Sequence, residues 1–188
     1  MGADDRRRWD DKYGTRAVPD ELTVDTWLLE QSHFLPVGRA LELACGLGQN
    51  AISLAIEGWQ VDAVDISPVG LKLAAELASR KSVDVNWTVA DLDEFQPAAG
   101  AYDLVCVFRF LDRPRLPAAI EAALAPGGTL LYETFTQNHL NRPGSHMRNP
   151  DFALAPGELP RLFPGLTVIE YSELELPDRS VARLVARK

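Results

Sequence analysis

The sequence predicts an α/β fold, a mostly parallel sheet with helices on both faces and an antiparallel hairpin at the end. Short apolar runs alternate with segments of helical periodicity along most of the 188 residues, the pattern of strands joined by crossover helices. The stretch Ala40 to Asp65 gives strand, tight glycine turn, helix, strand in 26 residues. Near the end, Leu166 to Leu176 and Ser180 to Ala186 are two strand-like runs around Pro177 and Asp178, a hairpin signal.

Composition sets the frame. A chain of this length buries roughly 70% of its unfolded surface, so a single domain over 1–188 is expected. Apolar residues make up 46% and charged residues 24%, ordinary for a globular protein. The net charge is −8 with the acids spread along the chain, which argues against a nucleic-acid surface, since that needs clustered Lys and Arg. The one basic run, Arg6 to Arg8, is flanked by Asp4, Asp5, Asp10 and Asp11. Cys45 and Cys106 lie in apolar runs and are expected to be buried thiols. Two cysteines give no zinc spacing, and no metal is expected. No apolar run approaches the roughly 18 residues of a membrane span, and MGADDRRRWD has no apolar core of a signal peptide. The expected setting is cytoplasmic, with no membrane partner.

In chain order, residues 4–14 are charged, with Trp9 and Tyr13 one helical turn apart. This is a short helix over a cleft or a frayed arm. Pro19 to Gln31 is expected to be a helix with an apolar stripe of Leu22, Trp27, Leu28 and Leu29. His33 lies at its end in a structural role, and residues 1–35 form a helical cap. Leu41, Leu43 and Ala44 belong to the first strand. Gly46 and Gly48 then turn the chain, and a helix from Ala51 ends at Gly58. Val61 to Val64 form the second strand, with Asp65 at its carboxyl end. Ser67 caps the next helix, Pro68 opens it, and it runs to about Arg80. Val83 to Ala90 alternates as a strand and Asp91 follows. Tyr102 to Phe108 is a fourth strand, Pro114 to Ala125 a helix, Pro126 to Gly128 a turn and Thr129 to Phe135 a fifth strand. Residues 136–152 are polar and aperiodic, a lid-like loop. A short helix over Gly157 to Phe163 precedes the hairpin.

A glycine turn that opens a helix, with an acid about 20 residues later, is a dinucleotide-type fingerprint. Gly46, Gly48, Asp65, Asp91 and Arg109 all fall at predicted strand carboxyl ends, where such sheets bind ligands. Taken singly, each has a plainer reading. Asp65 can cap the approach to a helix, Asp91 can bond its own backbone in a turn, and Phe108 and Phe110 can be core or rim aromatics. Glu42 is an acid in an apolar strand and needs donors if it is buried. In the loop, His139, Arg142, His146 and Arg148 put four potential cations within ten residues, suited to an anionic acceptor or to a solvated loop.

The motifs WDDKYG, LELACGLGQNAISLAIEGWQVDAVDISPVGL, ADLDEF, YDLVCVFRFL, LAPGGTLLYETF and NPDFALAPGELPRLF resemble the class I S-adenosylmethionine-dependent methyltransferases over essentially the whole chain. The nearest look is to their tellurite-resistance and thiol-methyltransferase-like branch. The resemblance implies a Rossmann-like methyltransferase fold with a seven-stranded sheet, S-adenosyl-L-methionine as cofactor, and a small-molecule acceptor. In the family's E/D-x-G-x-G-x-G motif stand Glu42, Ala44, Gly46 and Gly48, so the first glycine is an alanine here. Asp65 takes the place of the ribose-binding acid and Ile66 that of the adenine-packing residue. Asp91 and Leu92 take the positions at the adenine edge. Cys45 and Asn50 belong to the same cofactor-binding stretch, and Gln49 stands where the branch often has arginine. Trp9 and Tyr13 correspond to the arm that covers the donor, and Phe108 and Arg109 to the strand end that meets donor and acceptor. Candidate catalytic residues are Arg109, His146 and Arg148. A thiol or chalcogen oxyanion acceptor needs no general base, in keeping with the lack of any evident base dyad. Two other readings stay open, a nicotinamide-dependent oxidoreductase, although no Y-x-x-x-K pair is present, and a cofactor-binding regulator without turnover. No oligomeric state is assigned.

Overall fold

The structure, a computed structural model, describes residues 2–188. Seven strands make one sheet in the order β3-β2-β1-β4-β5-β7-β6. They are β1 (Arg39–Leu43), β2 (Gln60–Asp65), β3 (Asn86–Val89), β4 (Tyr102–Phe108), β5 (Leu124–Phe135), β6 (Thr167–Glu175) and β7 (Ser180–Arg187). β1, β2 and β3 pair in parallel, whereas β7 runs antiparallel to both β5 and β6. The helices are α1 (Ala3–Gly14), α2 (Thr26–Ser32), α3 (Gln49–Ile56), α4 (Pro68–Arg80) and α5 (Leu116–Ala123). This is the α/β architecture the alternation predicted, with its closing hairpin.

The chain divides into two compact units. The first runs to Gln96 and includes Tyr102–Leu104; the second holds Pro97–Ala101 and Val105–Lys188. In the first unit, Ile52, Leu77 and Ala78 are buried together, with Val18, Leu22, Val83, Val85 and Trp87 packed against them. In the second, Tyr132 lies against Phe163 with ring centroids 5.8 Å apart, and Ile120, Leu124 and Leu130 are also buried.

Several boundaries differ from expectation. The helix predicted from Pro19 starts only at Thr26, because the Asp25 side chain accepts from the Trp27 amide and caps it there. Residues 18–25 are held by packing and by bonds to α3 instead. The Thr23 amide donates to Gln49 Oε1, and the Asp25 amide donates to Asn50 Oδ1 at 3.0 Å. The third strand is shorter than Val83 to Ala90, since Val83 and Val85 are spent on the first core. The helix predicted from Pro114 begins at Leu116, where Asp112 accepts the amides of Arg115 and Leu116, each at 2.9 Å. It ends at Ala123. Pro126 to Gly128 is not a separate turn but lies within β5, with the Gly127 amide and Gly128 carbonyl bonded to the backbone of Lys188. The short helix near Gly157 is one 3-10 turn, Leu159–Leu162. The 136–152 segment is irregular apart from 3-10 turns at Gln137–Asn141 and Pro150–Phe152. Among the described residues, no helix is long and apolar enough to cross a membrane.

Candidate functional site

The turn after β1 is built from alternating left-handed residues. Ala44, Gly46 and Gly48 have φ of 56°, 58° and 65°. The Cys45 amide bonds Val64 O at 3.1 Å, and the Gly48 amide closes back on Cys45 O at 2.9 Å. Gly48 is the N-cap of α3. A Cβ there would meet the Trp87 ring at 2.4 Å, so this glycine is required by packing. Gly46 is different: a Cβ on it would point at the Tyr13 hydroxyl, 2.8 Å away. Glu42 is 3% exposed, and its carboxylate accepts the Ala51 amide at 2.9 Å. It thus satisfies an orphan donor in the first turn of α3 and sits where the helix dipole favours negative charge. Asn50, also buried, accepts from Asp25. Burial, with the charges of Glu42 and Asp65 added, holds the Cys45 thiol well above its ordinary range, against the bond of its own backbone.

Asp65 ends β2 beside this turn. Its Oδ2 accepts the Gly46 amide at 2.7 Å and its Oδ1 the Ser67 amide at 2.9 Å. Burial raises its pKa, opposed by the amides of Ser67, Gly46 and Ile66, and the charge of Asp10 raises it further. A carboxylate offers about four lone-pair sites, so the amides of Gly46, Ser67 and Ile66 do not exhaust its capacity to accept. Ile66 is buried next to it. The Asp65 carbonyl takes the Ala90 amide at 3.0 Å, which brings the end of β3 alongside. There, Asp91 accepts the Asp93 amide at 3.0 Å in the local turn that its sequence allowed, and Leu92 is buried. α1 is a helix and no frayed arm. Trp9 and Tyr13 stack with centroids 5.5 Å apart, and Tyr13 covers both Gly46 and Gly70. The Ser67 hydroxyl donates to Asp10 while it accepts the Gly70 amide. This tether between α1 and α4 was not foreseen.

The first unit therefore gathers Trp9, Tyr13, Glu42, Ala44, Cys45, Gly46, Gly48, Asn50, Asp65, Ile66, Asp91 and Leu92. Phe108 and Arg109 belong to the second unit. Phe108 is buried. Arg109 is exposed, with φ of 57° and its amide bonded to Glu133 O at 2.8 Å. The four loop cations are not one cluster of equivalent groups. His139 stacks on Phe135 and accepts from the Ser180 amide; burial, then the charge of Arg142, holds its pKa below the ordinary value. Arg142 bonds Glu175, Ser180 and the Pro177 carbonyl, and so fastens the loop to the hairpin. Arg148 donates to the carbonyls of Ser145 and Met147. His146 is exposed. A different charged group was missed: Glu133, fully buried, holds Arg179 and Arg183. Its signal was an acid inside the apolar run TLLYETF, the same signal that singled out Glu42. No group of three potential metal ligands occurs among the described residues.

Residues 40–128 match a family described as a methyltransferase domain, a span that contains the glycine turn, Asp65, Asp91 and Arg109. The chain is 30% identical over 119 residues to the ubiquinone biosynthesis O-methyltransferase of Bordetella pertussis, covering 60% of this chain and 48% of that protein. It thus spans about half the length of this relative. Among solved structures, one titled for the conversion of a disulfide bond into a thioacetal group during echinomycin biosynthesis superposes with a TM-score of 0.79. It is 19% identical and covers 97% of this chain and 91% of that one. TehB from Haemophilus influenzae gives a TM-score of 0.70 at 21% identity, with 97% and 66% coverage. These likenesses favour the methyltransferase reading of the glycine turn. The chain is thus similar to methyltransferases, through a methyltransferase-domain match over residues 40–128 and through relatives named as O-methyltransferases.

Proposed function

We propose that this chain transfers a methyl group from S-adenosyl-L-methionine to a small soft or anionic acceptor, a thiol or a tellurium- or selenium-oxyanion-like species. The observation that carries the donor half is the Asp65 carboxylate bonded to the Gly46 amide at 2.7 Å. One acidic group and one Cβ-free turn are thereby fixed side by side at the carboxyl end of β2. The residues fit the donor. Asp65 keeps lone pairs for ribose hydroxyls, and Ile66, Asp91 and Leu92 are assigned the adenine. The Ala44–Gly48 turn with Glu42, Cys45 and Asn50 is assigned the methionine end, and Trp9 and Tyr13 the cover over it.

When bound, S-adenosyl-L-methionine would supply an electrophilic sulfonium methyl whose carbon an acceptor lone pair can attack in line, the S–CH3 bond breaking as the new bond forms so that S-adenosylhomocysteine leaves and, from a thiol, one proton is lost. The chain's own contribution is alignment and exclusion of water. The turn fixes the donor's position through backbone geometry set by Asp65 and Glu42. Tyr13 closes over Gly46. Phe108 and Arg109, at the end of β4, are assigned to the acceptor, with His146 and Arg148 as further candidates. Residues 1–188 act as one methyltransferase domain, with 1–35 as cap and 136–152 as lid. A cytoplasmic setting goes with cysteines that form no disulfide.

A second reading, methylation of another small metabolite at an oxygen, is favoured by the name of the Bordetella relative, a ubiquinone biosynthesis O-methyltransferase. Both are tested together. Calorimetry should show S-adenosyl-L-methionine binding that Asp65→Ala weakens by about 1.5–3 kcal/mol, the scale of a hydrogen bond to a charged group. Unchanged affinity in a folded variant removes Asp65 from the site. Release of S-adenosylhomocysteine is then followed with thiols, selenite, tellurite and a catechol. Turnover confined to the catechol replaces the soft acceptor by an oxygen acceptor.

A further inference from the structure

We propose that Tyr132 is a positioning residue for methyl transfer: its hydroxyl, with the Glu133 carbonyl beside it, holds Arg109 in a left-handed bend at the end of β4, and that bend presents Arg109 to the acceptor. This rests on the methyltransferase reading above and adds the residue that sets the acceptor-facing geometry.

β4 and β5 are neighbours in the sheet, and β4 ends at Phe108. The next residue, Arg109, has φ of 57°, a region where a Cβ is crowded and glycine is favoured. Asn and Asp can enter it by bonding their own backbone, but an arginine side chain has no such local compensation. The conformation is therefore imposed from outside, by two consecutive residues of β5. The Arg109 amide donates to the Glu133 carbonyl at 2.8 Å, and the Tyr132 hydroxyl donates to the Phe110 carbonyl at 3.0 Å. One bond sits just before the strained torsion and the other one residue after it, so the bend is gripped at both ends.

The rest of the segment is anchored as well. Leu111 is buried, Asp112 accepts the amides of Arg115 and Leu116, and Arg113 bonds Glu158 and the carbonyls of Asp151 and Ala153. A strained residue persists only where its surroundings over-determine it, and such residues cluster at ligand sites. Packing does not explain the Tyr132 hydroxyl, because the ring is buried against Phe163, a contact phenylalanine would also make. Burial, then the charge of Asp112, holds the Tyr132 phenol well above its ordinary range, against Arg113 and the Asp112 amide. The hydroxyl thus stays protonated and keeps donating to the main chain of the bend. Within this segment Arg109 is exposed, whereas Phe108 and Leu111 on either side are buried. What the bend delivers is the Arg109 side chain, at a strand carboxyl end of the kind where open α/β sheets take their ligands.

The test compares Tyr132→Phe, Arg109→Gly and the double variant. Hydrogen exchange reads the bend without any ligand. In Tyr132→Phe the Arg109 amide should exchange about tenfold faster, the scale of one lost hydrogen bond, while the amides of β5 and β7 keep their protection. Release of S-adenosylhomocysteine from S-adenosyl-L-methionine is then followed with 2-mercaptoethanol, selenite and catechol. For the compound that turns over, kcat/KM should fall at least about tenfold in Tyr132→Phe, since a small misplacement at the reacting centre can cost about a hundredfold. Calorimetric affinity for S-adenosylhomocysteine should stay unchanged. Arg109→Gly should show a comparable fall, and adding Tyr132→Phe to it should cause no further one, because the side chain being positioned is already gone. Unchanged protection of the Arg109 amide, an unchanged kcat/KM in folded Tyr132→Phe, or losses that multiply in the double variant overturns the positioning role. Should Tyr132→Phe fail to fold, Arg109→Gly, which suits the bend's backbone, decides: a retained kcat/KM overturns the proposal. Turnover of none of the three compounds, or no binding of S-adenosylhomocysteine, counts against the methyltransferase reading itself, and the exchange measurement still reports separately whether Tyr132 holds the bend.

Discussion

Ala44 carries a Cβ in a turn whose other two left-handed positions are glycine. A side chain in that region costs roughly 1–2 kcal/mol, while glycine would cost about 0.5–1 kcal/mol through its looser unfolded chain. Ala44→Gly is therefore expected to stabilise the protein by about 0.5–1 kcal/mol, read as a higher urea midpoint at unchanged slope. A lower midpoint would show that the methyl group has packing partners that outweigh its strain. The sequence identified this turn because its signal is local: small residues at alternate positions between two apolar runs. It did not show why Gly48 must be glycine. That reason is the Trp87 ring, delivered by a strand 39 positions further on. Nor did it separate the two buried acids by role. Glu42 caps a helix and Glu133 holds arginines, and both look alike as an acid in an apolar run.

Elements were legible where their ends are marked chemically. α4 has Ser67 and Pro68 at its start, and both function as expected, Ser67 accepting the Gly70 amide at 3.0 Å. α2 was drawn too long because Pro19 and the following acids imitate a helix start. The true cap is Asp25, whose competing advantage is tertiary: its amide is held by Asn50, so the chain before it is already committed to α3. Asp25→Ala should cost about 1 kcal/mol, typical for a lost N-cap. Because Asn50 accepts from the backbone, which the substitution leaves in place, circular dichroism should show only a small loss of helix alongside a lowered melting temperature. A loss well above about 2 kcal/mol would mean that the Asp25 carboxylate does more than cap.

At the scale of the whole chain, the alternation of strand and helix disclosed the parallel strands and the terminal hairpin, because each rests on a periodicity carried within a few residues. Long-range ion pairs carry no such periodicity, and the pair that matters most for the 150–158 segment joins residues 45 positions apart. Arg113 bonds Glu158 and also the carbonyls of Asp151 and Ala153. The Arg113 bond, outweighing partial burial and aided by the Ala155 amide, holds the Glu158 carboxyl below its ordinary value of 4.5. A carboxylate whose pKa is lower in the folded than in the unfolded chain stabilises the fold above its unfolded value, and that stabilisation disappears as pH falls through the folded value. Glu158→Gln should thus destabilise the protein by about 1.5–3 kcal/mol at pH 7, the scale of a hydrogen bond to a charged group. Its deficit relative to the parent should shrink progressively below about pH 4.5, when the parent's own carboxylate takes up a proton. Urea unfolding of both proteins from pH 7 to pH 3 measures this. A deficit that stays constant over the whole range would mean that Glu158 contributes shape and neutral hydrogen bonding at this junction and that its charge contributes nothing.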